Sequence, residues 1–474
     1  MDTQLKENTK VQYNQKYIWL ISMTAALGGF LFGYDWVVIG GAKPFYEPYF
    51  NVTSVTDQGW GTSSALLGCM LGAGICILIS DKVGRKKLLL VSGLLFSLSA
   101  LGTALADSFA FFNLYRIVGG VAMGIALNLS PLYIAEVAPS EKRGMFVTIN
   151  QLLIMIGVLL AQIVNYRISI IDTEISANPS FQELANSWSG QYAWRWMFGA
   201  EFIPAFLFFV LMFRVPESAR WLIKNGRVEE ARSILKKMGG SAYANKEIKD
   251  VSSTVREIDS KKVDLRFLFH KRILKFIIIG IFLAFLQQWS GINVVIYYAA
   301  DIFKAAGFNL QQMMLNIVVI GMVMVLSVFI TIFTVDKFGR KKLLLIGTGV
   351  MAVVYGLIGY SFLLEETGTP IVVLVLINVM VYSFTLAPLL WVVLSEIFPT
   401  RIRGAAVSVA ALAHWVGNFT LTFSFPTIKE NLGWAQNFWL YGVICLAGFL
   451  IIYRVLPETK GKTLEEIEHE LIDS

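Results

Sequence analysis

Twelve apolar stretches divide this 474-residue chain, at about 17–41, 59–80, 88–107, 109–134, 144–166 and 194–213, then at about 273–299, 313–334, 343–364, 370–394, 402–424 and 436–455. Each is close to the ~20 residues that a helix needs to cross the ~30 Å hydrocarbon core of a bilayer. In hydrocarbon the backbone N–H and C=O groups must bond within the segment, so an apolar run of this length forms a helix. Composition agrees: 56% of the residues are hydrophobic and 15% are charged, whereas a soluble domain is about a quarter charged. The net charge of +7 does not point to nucleic acid, because the basic residues sit in short runs between the apolar stretches.

The chain therefore reads as an all-α integral membrane protein with two six-helix bundles. A polar tail (1–16) precedes the first bundle (17–213). A helical, charged linker (214–272) leads to the second (273–455), and a second tail (456–474) follows. No cleavable leader is expected before the first apolar run. Links 81–87, 135–143, 214–272 and 335–342 are rich in Lys and Arg, and the opposite links are not. Positive links stay in the cytoplasm, so both tails and the linker are expected there, in a cell membrane and most simply a bacterial inner membrane. Cys69, Cys76 and Cys445 lie inside apolar runs and read as packing residues.

The halves echo each other. DKVGRKKLLL at 81–90 returns as DKFGRKKLLL at 336–345, nine of ten residues identical at an offset of 255. Glu136 and Arg143-Gly144 return as Glu396 and Arg403-Gly404, and Pro216-Glu217-Ser218 returns as Pro457-Glu458-Thr459. Parallel repeats of this kind mark two-bundle transporters with a site between the bundles. In the repeated motif the glycine permits a tight turn, and the Asp, at a helix C-terminus, calls for a cation. Asp81, Arg85, Glu136, Arg143 and Glu217, with Asp336, Arg340, Glu396, Arg403 and Glu458, are expected to form charge networks at the cytoplasmic helix ends. These would latch when the pore is closed inside.

The motifs resemble those of the sugar porters of the major facilitator superfamily. The signatures are both DKxGRKK copies, PLYIAEVAPSEKRG, PESARWL, QQWSGINVVIYY, SEIFPTRIRG and PETKGKTLEE, in order along nearly the whole chain. In look they come nearest to the bacterial xylose/proton symporters, then to the glucose facilitators. The resemblance implies alternating access by rocking of two bundles, a cytoplasmic helical domain in the linker, a monosaccharide such as D-xylose or D-glucose as substrate, and a protein that works as a monomer. It implies no cofactor beyond a coupling proton.

Ionisable residues inside a span are functional candidates by default. Asp35 lies six residues below Gly41, where the first span is expected to end, and Arg116 lies seven residues into the fourth. At 1.5 Å per residue both sit about 10 Å down, so they can pair. A carboxylate that meets an arginine and a proton in turn is what proton coupling needs. The resemblance agrees: the proton-coupled porters have Asp at this place in FGYD, where the facilitators have Asn. Glu201 is a second candidate for the proton path, with a neutral packing carboxyl as the alternative.

A sugar site calls for amides and indoles, which offer paired donors and acceptors and flat faces. The seventh span supplies Gln287, Gln288, Asn293 and Tyr297. Ser290-Gly291 between the glutamines and the asparagine predicts a break that turns both inward. Phe32, Gln151, Asn316, Trp391, His414, Trp415 and Asn418 complete the candidate set. The resemblance makes Gln287, Gln288 and Asn293 hydroxyl ligands. Three positions depart from it: His414 and Val158 stand where the xylose symporters have Gln, and Ala387 stands where Gly is usual. A passive facilitator would share the pocket without needing Asp35. A membrane sugar sensor would be expected to carry a long signalling tail. No phosphate loop, metal-ligand spacing or nucleophile–base pair suggests an enzyme.

Overall fold

The computed structural model describes residues 13–139, 141–260, 271–398 and 403–460. Among these every regular element is helical. The first six spans are Gln15–Tyr49, Val55–Val83, Arg85–Ala104, Phe109–Val137, Arg143–Ser169 and Ser189–Arg214. The seventh is broken into Lys271–Trp289 and Ile292–Tyr297. Leu310–Phe338 is the eighth and Arg340–Leu363 the ninth; the tenth is broken into Thr369–Phe384 and Leu386–Ile397. The last two run as one helix, Arg403–Val455, interrupted where Gly433 leaves helical geometry (φ 82°, ψ 176°). Its 53 residues would measure about 80 Å if straight, so the interruption makes two spans and brings the count among the described residues to twelve.

The breaks have local causes. Gly291 takes φ 86°, a left-handed conformation that a side chain disfavours, and the seventh span divides there as the sequence predicts. The tenth divides at Thr385 (φ −113°, ψ −86°). Pro388 lacks an N–H, and its ring crowds the carbonyl four residues back, that of Phe384. Pro204 does the same to Ala200, and the sixth span loosens at Ala200-Glu201. The first span runs on to Tyr49 through Pro44 and Pro48, eight residues past the end expected at Gly41.

Close packing of small residues joins the spans. Gly68 and Gly72 on the second span meet Gly120 and Gly124 on the fourth. A Cβ at Gly120 would fall on the Ala65 carbonyl oxygen. Gly120→Leu is therefore expected to cost well over about 3 kcal/mol of packing energy, beyond the usual overpacking range. It should reduce the monodisperse peak in fluorescence size-exclusion chromatography at least about fivefold; an unchanged peak would contradict this crossing. Cys69, Cys76 and Cys445 are free and buried, as packing residues should be.

The linker holds a short helix, Ala219–Lys224, and then Val228–Ser260, which bends at Gly239-Gly240. Both lie at the Lys/Arg-rich end of the spans, called the basic end below.

Candidate functional site

Between the two halves lies a cavity of about 470 Å³. Phe32, Trp36, Leu127 and Gln151 line it from the first, fourth and fifth spans. Gln287, Gln288, Asn293, Trp391, His414, Trp415 and Asn418 line it from the seventh, tenth and eleventh. Its walls reach Thr148, five residues into the fifth span, and Thr331 and Val392, near the basic ends of the eighth and tenth. Toward the other end the lining stops at Trp36, Asn293 and Asn418. The cavity is thus directed to the basic end. At the far end the halves touch: a Cβ at Gly40 would lie 2.8 Å from the Ile296 carbonyl oxygen, and one at Gly59 would fall on that of Phe423.

A polar belt runs along the second half's wall. The Gln288 amide nitrogen donates to Gln287 Oε1 at 3.1 Å and to His414 Nδ1 at 3.0 Å, and Asn293 Nδ2 donates to Gln288 Oε1. The His414 ring thus sits against the Gln288 amide, its Nδ1 the nearer of the two ring nitrogens. Gln287 also donates to the carbonyls of Leu386 and Ala387, at 2.9 and 3.1 Å, just past the break in the tenth span. The break at Gly291 is what lets Gln288 and Asn293, five residues apart, meet on one wall. Aromatic rings flank the belt. Phe32 stacks on Trp36 with centroids 6.0 Å apart and meets Trp415 edge-on at 6.4 Å, while His414 lies between Trp391 and Trp415 at 5.5 and 5.3 Å.

Asp35 and Arg116 form an ion pair through Asp35 Oδ1 and Arg116 Nη1, and both are buried. Arg116 Nη2 also reaches the Asp35 carbonyl at 3.4 Å, and the guanidinium lies 5.0 Å from the Phe198 ring centroid. Asp35 Oδ2 is buried and has no hydrogen-bond partner among the described residues, nor has Glu201 Oε1. Glu201 is buried in the same charge cluster, within electrostatic reach of Asp35 and Arg116. One residue along the first span from Asp35, Trp36 faces the cavity, so the ion pair and the cavity wall share one turn of helix.

At the basic end each half carries its own network. Arg85 pairs with Asp81 at 3.0 Å and with Glu136 at 3.1 Å, and Glu217 accepts from the Arg85 and Lys86 amides at 3.0 and 3.1 Å. Arg340 pairs with Glu396 at 3.2 Å, and Glu458 accepts from the Arg340 amide at 2.9 Å. The glycines of the motif, Gly84 and Gly339, take φ 100° and 88° and bring those carboxylates against the turn. The repeat in sequence is thus a repeat in bonding. Each of these contacts closes within its own half. Arg143 is exposed, and the Glu136 carboxylate pairs with Arg85 in its place. The side chains of Asp336 and Arg403 lie outside the described residues.

Of the expected sugar ligands, Tyr297 and Asn316 are not among the lining residues. Tyr297 is buried toward the closed end, and Asn316 lies two turns outward of Met324, which does line the wall. Of the three departures, His414 and Ala387 line the cavity, while Val158 is buried and is not among the lining residues. Trp36 escaped the sequence reading. Its signal is the i, i+4 spacing from Phe32, which puts both rings on one helix face. Ser383 and Thr148 also line the cavity.

The sequence profile of the family described as "Sugar (and other) transporter" matches residues 21–471. The chain is 36% identical to the D-xylose-proton symporter of Escherichia coli (strain K12), over 96% of each chain. It is 34% identical to the arabinose-proton symporter of Bacillus subtilis (strain 168), over 98% of each. The inward-open structure of the E. coli xylose transporter superposes with a TM-score of 0.81 at 33% identity, covering 96% of this chain and 99% of that one.

Proposed function

The chain belongs to the sugar transporter family, and from that premise we propose that it carries a monosaccharide together with a proton by alternating access. It is a multi-pass membrane transporter, not an enzyme. The observation that carries this reading is a buried Asp35–Arg116 pair one residue from the wall of a polar, aromatic-lined cavity. A carboxylate in that position holds a proton only when arginine releases it. The formed pair corresponds to the deprotonated state, which fits a cavity open to the basic end, after release there. In this reading that end is the cytoplasmic one, which the positive links support.

The sugar is a pentose or hexose such as D-xylose or D-glucose. Gln287, Gln288, Asn293 and Asn418 bind its hydroxyls from one side and Gln151 from the other. Phe32, Trp36, Trp391 and Trp415 cover its apolar faces, with His414 as a neutral hydrogen-bonding partner. Tyr297 and Asn316 come into play when the opposite end opens. Glu201 relays the proton to Asp35. The Arg85 and Arg340 networks brace the basic ends of their halves and latch them when that end closes. The protein works as a monomer.

The test is uptake of labelled sugars into proteoliposomes with and without an imposed pH gradient. Symport predicts accumulation that depends on the gradient, with proton flux following sugar. Equilibration that ignores the gradient would leave a passive facilitator. His414→Gln, a change at the lining, is expected to keep uptake and to alter the pentose-to-hexose preference at least about threefold, since a swapped hydrogen-bond partner is worth about 1 kcal/mol. Competition between labelled xylose and glucose reads it.

A further inference from the structure

The end of the molecule away from the cavity mouth holds a buried lysine that no sugar or proton step above uses. Lys43, on the first span, is 3% exposed. It pairs with Glu47 one turn further along the same helix at 3.0 Å and with Asp301 of the second half at 2.8 Å, and lies 5.4 Å from the Tyr298 ring centroid. Tyr298 in turn donates to the Thr422 carbonyl at 2.8 Å, within the second half. A second cavity, of about 160 Å³, is lined by Glu47, Asp301, Lys304 and Pro44 beside this cluster.

We propose that Lys43, Glu47 and Asp301 are gating residues of the transport cycle: a Lys43–Glu47 clasp on the first half closes on Asp301 of the second and holds the outer mouth shut while the cavity faces inward. The proposal rests on the alternating-access reading above. Its logic is electrostatic. A buried ammonium without a carboxylate is costly. Lys43 and Glu47 ride on one helix, so Lys43 keeps a partner when the halves part. Asp301, on Ala299–Ala305, leaves with the other half and is partly exposed, its side chain 32% accessible, so it re-enters water at little cost. The pair to Asp301 is thus the bond made in one state and broken in the other, and differential contact of that kind shifts an equilibrium between states. The tight backbone approach of Gly40 to Ile296 and of Gly59 to Phe423 puts the clasp at the seam.

Spin labels on Thr53→Cys and Glu366→Cys, both in exposed links at this end and on different halves, report the opening by pulsed dipolar distance measurement in nanodiscs. The native cysteines are buried and out of reach of the label. Asp301→Asn is expected to raise the long-distance, outer-open population about tenfold, and Asp301→Ser, should the first not fold, to do the same. Asp301→Glu restores the original distribution. Glu47→Gln moves the balance the other way, because Lys43 then has no carboxylate once Asp301 departs. Neutral variants at Asp301 with unchanged distances, or a Glu47→Gln shift toward opening, would overturn the clasp. The readout needs no sugar and no pH gradient, so a failed uptake assay would leave it interpretable.

Discussion

Replacing Asp35 with asparagine is expected to abolish concentrative sugar uptake while leaving exchange of sugar across the bilayer intact. A pH gradient of one unit stores about 1.4 kcal/mol per proton, so one-to-one coupling allows about tenfold accumulation of sugar. That energy is used only if one group binds the proton outside and loses it inside. Asp35 can do so: Oδ1 faces Arg116, and Oδ2 is buried without a partner among the described residues. The amide of the Asp35→Asn variant would keep an oxygen toward Arg116 but has no proton to exchange. Its accumulation ratio should fall to about one, with the gradient no longer felt. Counterflow, which needs only the cavity and the rocking of the halves, should stay within about tenfold of the parent. Arg116 would stay charged with a neutral neighbour, and breaking a buried pair costs about 3–5 kcal/mol, so a lower melting temperature should accompany the uncoupling. Proteoliposome uptake under an inward proton gradient decides the matter. If the asparagine variant still concentrated sugar, Asp35 would not be the coupling site.

Much of this architecture can be read from the sequence because hydrocarbon leaves a chain few options. Spans, their number and the pairing of isolated charges follow from the cost of leaving polar groups in lipid. Asp35 and Arg116 meet as that cost requires, although the depth estimate took Gly41 as the helix end. The helix runs to Tyr49 through Pro44 and Pro48, past the point where the prolines and the end of the apolar run suggested a stop. Single residues decided the breaks, and Gly291 was visible for that reason. Side-chain direction was less visible. Trp36 sits in an apolar run where an indole facing lipid looks the same as one facing a cavity. Lys43 lay beyond the expected span end and read as a link residue, although it is buried. Asn316 carries a polar signal as strong as Asn293, but lining also depends on which end of the cavity is open, and residue type does not record that. The repeated DKxGRKK motif marked the charge networks. Whether they join the halves or brace each one is a matter of contact between helices distant in sequence.

Gln288→Ala is expected to weaken sugar binding about 50- to 100-fold with little loss of stability, and Gln287→Ala to do the reverse. The two residues are adjacent and chemically identical, so the contrast tests the geometry. Gln288 sits at the centre of the belt and bonds Gln287, His414 and Asn293. A sugar entering the cavity finds donors and acceptors already oriented around it. Removing the amide deletes its own hydroxyl contacts and frees Asn293 and His414 to turn away. Two or three hydrogen bonds of about 1 kcal/mol each give a factor of about 30 to 150, which brackets the expected one. The empty protein should lose little stability, because the partners of Gln288 are side chains on the cavity wall that entering water can satisfy. Gln287 instead spends its nitrogen on the Leu386 and Ala387 carbonyls, tying the seventh span to the tenth where the latter is broken. Losing that tie leaves buried carbonyl capacity unmet, at about 1–3 kcal/mol, and should lower the melting temperature by several degrees while costing less than about tenfold in affinity. Isothermal titration with xylose or glucose and thermal scans of both variants separate the two effects. Sugar affinity within threefold of the parent in Gln288→Ala would move the sugar seat off the seventh span, whereas equal losses of affinity in both variants would make Gln287 as direct a ligand as Gln288.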